Sequence, residues 1–150
     1  MRMKGKNEVQ LLVVNSHINF AWGFDFHGSA IFSDGSIYTW DSNKNSNGVV
    51  RFDLGDVEVL KEYIKSNGTK EENRVPEEDL DEIKEIISKL TKKETEFTSE
   101  HRAYDMGGGS ISVYKDDVEI ELRKSGDYVG SGSGSNVSKL ISLTKRHLGG

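Results

Sequence analysis

The sequence predicts an α+β fold, a mainly antiparallel sheet with about three helices packed on one face, in a single domain over residues 1–150. Three observations predict it. Residues 19–41 alternate with period two, placing Phe20, Trp22, Phe24, Phe26 and Phe32 on one face and a mostly polar set on the other. Residues 56–65 and 76–90 instead carry apolar side chains at helical spacing. Alternation then returns before a last helical stripe. Strands, two helices, strands, one helix is the order of an antiparallel sheet with segregated helices.

In chain order, residues 9–14 are a short β-branched run and the first strand, with 17–19 as the connection onward. Asp34-Gly35 offers a two-residue turn within the aromatic stretch, and Ile37-Tyr38-Thr39-Trp40 returns. That register sets Ile31 opposite Tyr38, Ser29 opposite Trp40 and Phe32 opposite Ile37. Both faces near the turn are then apolar, so this end is covered on both sides or exposes an interaction surface. Gly28 and Ala30 leave room for a helix or mark a bulge.

Residues 41–48 form a polar loop, and 49–54 a short strand or extended connection. A first helix covers 56–65, with Val57, Leu60 and Ile64 on one stripe, Tyr63 beside it, and Asn67-Gly68 as its stop. Residues 71–75 form a charged linker. A second helix starts at Pro76, with stripe Leu80, Ile83, Ile86, Ile87 and Leu90. Residues 96–104 read as a strand. Ile111 and Val113, a turn at Lys115-Asp116-Asp117, and Val118, Ile120 and Leu122 form a hairpin, with Ser112, Glu119, Glu121 and Arg123 facing outward. A turn at 125–127 leads to Tyr128-Val129 and a Gly/Ser loop. Ser135 or Asn136 caps a last helix with stripe Val137, Leu140, Ile141, Thr144 and Leu148.

Composition narrows the function. The chain has no cysteine, which excludes disulfides, thiolate metal sites and cysteine nucleophiles and fits a reducing cytoplasm. The apolar run after Arg2, Lys4 and Lys6 is too short for a signal peptide or a membrane span. A net charge of −5 disfavours direct nucleic-acid binding and suits a basic protein partner. The terminal Gly149-Gly150 directly follows a predicted helix and reads as helix termination.

Several constellations invite chemistry. Asp25, His27 and Ser29 outline a nucleophile-activating set, but alternate strand residues lie roughly 6–7 Å apart. No catalytic residue is assigned, and the expectation is a protein that is not an enzyme. His17, His27, His101 and His147 stand in no ligand spacing, so no metal or cofactor is assigned. The loop 130–136 leads into a helix, the right context for an anion, but lacks P-loop and dinucleotide spacing. Residues 71–85 hold eight acids against Arg74 and Lys84, the clearest electrostatic feature of the chain.

Phe32-Ser33-Asp34-Gly35-Ser36-Ile37-Tyr38-Thr39-Trp40-Asp41 is similar to the hairpin near the start of many small uncharacterised bacterial proteins. Tyr104-Asp105-Met106-Gly107-Gly108-Gly109-Ser110, followed by Leu122-Arg123-Lys124-Ser125-Gly126-Asp127, resembles a pattern toward the end of the same proteins, which usually has Ala where this chain has Met106. The two stretches cover about a fifth of the chain. Such proteins are often identified as immunity proteins of bacterial toxin systems or have no known function. The resemblance implies a cytoplasmic binding protein and no catalytic residue.

Together these point to a protein-binding module, most concretely an immunity-type inhibitor that neutralises a toxin or nuclease-like domain by occluding a basic surface. The expected contacts are Glu77, Glu78, Asp79, Asp81 and Glu82, with Tyr38 and Trp40 as aromatic anchors if their face is open. The alternative is a small-molecule or nucleotide binder using loop 130–136 and the Asp25/His27 face. It requires a pocket joining the two.

Overall fold

The apolar run at residues 11–14 becomes the middle of a sheet, because every one of its side chains is buried and only a central strand covered on both faces can do that. A computed structural model describes residues 9–19, 25–41, 56–102 and 107–148. The elements are β1 (Leu11–Asn19), β2 (Asp25–Phe32), β3 (Ser36–Asp41), α1 (Val57–Asn67), β4 (Thr69–Arg74), α2 (Glu77–Lys89), α3 (Lys92–Thr95), β5 (Glu100–His101), β6 (Gly108–Lys115), β7 (Val118–Gly126), β8 (Tyr128–Ser131) and α4 (Ser135–Leu148). All strands join one antiparallel sheet in the order β4-β3-β2-β1-β6-β7-β8-β5. β1 extends through residues 17–19, which the sequence suggested as a connection. The strand or connection expected at 49–54 lies outside the described residues.

The helices do not share one face, which corrects the expected packing. α1 lays Leu60, Tyr63 and Ile64 over Phe26, Phe32 and Trp40. α2 and α4 lay Leu80, Ile83, Ile86, Ile87, Leu140 and Leu143 over Val13, Ile31, Ile37 and Val113 on the other side. The reason is visible in β2, where Phe26, Ala30 and Phe32 point one way and Ile31 the other, all under 4 % exposed. A strand apolar on both faces needs two layers of cover, and each fully buried aliphatic side chain stabilises the fold by roughly 1.5–3 kcal/mol.

The β2–β3 hairpin differs from expectation by one residue. The connection is Ser33-Asp34-Gly35, and Ile31 pairs with Ile37, Ala30 with Tyr38, Ser29 with Thr39 and Gly28 with Trp40. Gly35 has φ +88, the left-handed residue that a three-residue hairpin loop needs. Asp34 completes the turn by accepting from the Ser36 N–H and hydroxyl at 2.9 and 2.6 Å. Partial burial pushes the Asp34 carboxyl up, but those two hydrogen bonds and Lys70 hold it below its ordinary value overall. A one-residue slip exchanges the faces of a whole strand. Tyr38 and Trp40 therefore lie with Phe26 and Phe32 under α1, and Ile31 lies with Ile37 under α2 and α4.

The charged segment after α1 is a strand rather than a linker. β4 pairs with β3, and all six of its side chains are exposed. Lysine, glutamate and arginine on an outer strand hinder pairing with another chain. Asp56 caps α1 by accepting from the Glu58 and Val59 N–H groups. Pro76 precedes α2, and the predicted stripe is its buried face. The short α3 was not foreseen. It opens with a capping box between Thr91 and Glu94, and Thr91-Lys92-Lys93-Glu94 is the sequence signature of one. The strand expected over 96–104 is reduced to β5 among the described residues.

β7 carries a bulge. Ile111 pairs with Arg123 and Ser112 with Glu121, so Leu122 is an extra residue. Leu122 and Arg123 consequently share the α4 side. Ser112, Glu119 and Glu121 stay on the opposite side, where Ser112 donates to Glu119 at 2.7 Å. Arg123 is thus not the fourth member of the outward-facing set.

Candidate functional site

The sheet face under α2 and α4 changes character along its strands. Across five strands, one row of paired residues reads Ile37, Ile31, Val13, Val113 and Ile120, and the two helices cover it. The next row on that face reads Thr39, Ser29, Asn15, Ile111 and Arg123. The one beyond reads Asp41, His27, His17, Gly109 and Ser125. Helix packing therefore stops where the strands turn polar, and a trough of about 530 Å³ opens over the last two rows beside Leu148, the end of α4.

In this trough Asp25 Oδ1 lies 3.1 Å from His27 Nδ1, and the His27 ring stacks on His17 with centroids 5.2 Å apart and planes at 22°. Ser29 is 8 % exposed. His27 makes no hydrogen bond to it, so the three side chains do not form a relay. Trp40 also borders the trough, and its buried indole N–H has no hydrogen-bond partner among the described residues. Its six-membered ring lies across Gly28, where an added Cβ would stand 2.9 Å from Cζ2. Gly28 is small because its cross-strand neighbour fills its place.

The acids of α2 divide into two sets. Asp79 faces α4, with its Oδ2 2.6 Å from His147 Nε2 and 3.2 Å from Arg146 Nη1. The His147 hydrogen bond, helped by Arg146 and opposed by partial desolvation, holds the Asp79 carboxyl below its ordinary range. Asp79 is therefore committed inside the molecule. Glu85 pairs with Lys89 at 2.7 Å. Glu77, Glu78, Asp81 and Glu82 are exposed and hold no ion pair or hydrogen bond among the described residues. The sequence missed the Asp79 contact because its partners lie 67 and 68 residues away.

Tyr38 and Trp40 are separated from these acids by the sheet. Trp40 is 4 % exposed, with its ring centroid 5.4 Å from that of Phe26. Tyr38 is half-buried and meets Phe32 edge-on at 5.2 Å. Their face is closed by α1, so the condition for aromatic anchoring is not met at Trp40. The three-residue hairpin loop is the cause.

Loop 130–136 is internally engaged. Gly132 N–H donates to the Leu122 carbonyl and Ser133 N–H to the Glu94 carbonyl, at 2.8 and 2.9 Å. The Glu94 carboxylate accepts from Thr91 and from Asn136 Nδ2 at the start of α4. An anion favoured by that helix terminus is already supplied by the chain itself. The trough at His27 takes no wall from this loop, which sits at the other end of a helix about 20 Å long. The joint pocket needed by the small-molecule alternative is not formed.

Among the described residues, no group of three or more His, Asp and Glu side chains is placed to hold a metal ion, and no helix is long and apolar enough to cross a membrane. The fold and its surfaces define an antiparallel α+β domain with one acidic helix face and one polar trough. No family model, curated protein or solved structure matches the chain.

Proposed function

We propose that this chain is a non-enzymatic protein-binding module that docks a basic partner surface through the exposed acidic face of α2. One observation carries the reading: Glu77, Glu78, Asp81 and Glu82 are left without internal cations, while Asp79 and Glu85 on the same helix are paired. Four unpaired carboxylates within two turns raise association rates with a positive surface more than they stabilise the fold. In its most concrete form the protein is an immunity-type inhibitor, and the acids cover the basic cleft of a toxin or nuclease-like domain. The contact set is Glu77, Glu78, Asp81 and Glu82.

The experiment is stopped-flow association with basic nuclease-type toxin domains, beginning with the product of the adjacent gene, across a salt series. Glu78→Lys with Asp81→Lys slows association by about tenfold or more at low salt and flattens the salt dependence. Equal rates and equal salt slopes for wild type and variant would remove the acidic face from the interface.

A further inference from the structure

The polar trough is not explained by packing or by the acidic docking face. Its rows carry Asn, Ser, Thr and His, residue types that donate and accept hydrogen bonds, where the neighbouring row is Ile and Val throughout. Several of these groups are unspent. Asn15, Ser29 and Ser125 make no side-chain hydrogen bond among the described residues, and Ser29 is 8 % exposed. At the border of the trough the buried indole N–H of Trp40 also has no partner among the described residues, and a buried unpaired polar group costs roughly 1–3 kcal/mol.

One end of the trough is cationic. The bulge in β7 turns Arg123 onto this face, and Lys145 comes down from the last turn of α4. Arg146 and His147, its neighbours in sequence, turn instead to Asp79. Arg123 and Lys145 hold no ion pair among the described residues, in a chain whose net charge is −5. They line a recess of about 70 Å³ that shares Asn15 and Ser125 as walls with the larger trough. That recess has the liquid volume of roughly two waters, the scale of one tetrahedral oxyanion. The acids Asp25 and Asp41 stand on β2 and β3, three to four strands from β7 and thus about 14–19 Å from that end of the trough.

We propose that the trough binds a small phosphomonoester, with the phosphate in the recess between Arg123 and Lys145 and the polar body over Asn15, Ser125 and His17. Arginine presents a planar fork that meets two phosphate oxygens at once, and lysine adds a point charge. A volume of about 530 Å³ lies in the range of small-molecule sites. The site is independent of the α2 docking face.

The test is an amide-shift NMR titration of the full chain at neutral pH and low salt with inorganic phosphate, ribose 5-phosphate and ribose. Phosphate and ribose 5-phosphate shift the amides of Asn15, Arg123 and Ser125, ribose 5-phosphate binds tighter, and ribose alone shifts none of them. Arg123→Gln weakens both phosphates by about tenfold, the loss of one charge-assisted hydrogen bond. Lys145→Gln, on an exposed helix position where folding is not at stake, weakens them severalfold. The proposal is overturned if neither phosphate moves those amides, if ribose 5-phosphate binds no tighter than phosphate, or if both variants bind like wild type. Glu78→Gln with Asp81→Gln leaves these titrations unchanged, which separates this site from the partner face.

Discussion

His147 Nε2 stands 2.6 Å from Asp79 Oδ2 and joins the last turn of α4 to the first turn of α2. Both side chains are more than four-fifths buried, and Arg146 adds a second contact from the same turn. Asp79 and Arg146 each lie at the end of their helix where the macrodipole favours their charge, an acid at an N-terminus and a cation at a C-terminus. The pair fixes how the two helices sit side by side on the sheet.

The first prediction follows from the depressed Asp79 carboxyl. A carboxyl that titrates lower in the folded than in the unfolded chain contributes stability above its unfolded value, and that contribution disappears as pH falls through the lower folded value. Asp79→Asn is therefore less stable than wild type at neutral pH, by a few degrees in Tm. The gap closes as pH drops below the ordinary aspartate range. Thermal melts from pH 7 to pH 2.5 check this, and two parallel curves would contradict it.

Trp40→Ala separates packing from partner contact. Removing a buried aromatic ring that touches Phe26 and spans Gly28 destabilises the fold by about 3–5 kcal/mol. Gly28→Val forces a Cβ to within 2.5 Å of the Asn15 carbonyl oxygen and 2.9 Å of the indole, at a cost of about 1–3 kcal/mol. Urea midpoints fall for both. The association rate of folded Trp40→Ala with a basic partner stays at the wild-type value, whereas an anchor role would slow its capture or speed its release.

A third prediction concerns the β6–β7 turn. Asp116 and Asp117 have φ of 52° and 63°, so a mirror-image turn is built from two non-glycine residues. Asp116→Gly, at an exposed position, relieves left-handed strain and raises stability by a few tenths to about 1 kcal/mol, part of the gain being offset by the freer unfolded chain. Chemical denaturation reads the sign.

Glu94 serves two elements at once. Its carboxylate closes the capping box with Thr91 and accepts from Asn136, which holds it below the ordinary glutamate range, mainly through the Thr91 N–H. Glu94→Ala loosens α3 and the start of α4 together. Hydrogen exchange speeds up at Thr91, Ser133 and Ser138 while β1 keeps its protection.

The parts of the fold legible from sequence were those set by local pattern. Leu80, Ile83, Ile86 and Ile87 declared α2 because a helical stripe depends only on near neighbours, and Asp56 declared the start of α1 in the same way. The hairpin failed by one residue because Asp-Gly fits a two-residue turn and equally the end of a three-residue one, and only tertiary packing chooses. That slip carried Tyr38 and Trp40 to the wrong face and split the expected contact set. β4 was illegible because six exposed polar residues leave no apolar alternation, and its ties are backbone pairing with β3 and side-chain bonds of Glu71 and Arg74 to the β2–β3 hairpin, none of which a local pattern encodes. Of the candidate acids, Glu77, Glu78, Asp81 and Glu82 are where a solvated helix start would place them. The occupation of Asp79 depends on a partner 68 residues on, which no local pattern encodes.

The extra residue in β7 makes the trough a matter of counting. If the pairing ran on past Glu121 without the bulge, Leu122 would stand opposite Ile111 and Arg123 would pair with Ser110 on the far side of the sheet. The cationic end is thus held by strand length as much as by residue identity. Point substitutions along β7 that keep the bulge leave the aim of Arg123 intact, while a register that pairs Leu122 with Ile111 redirects it.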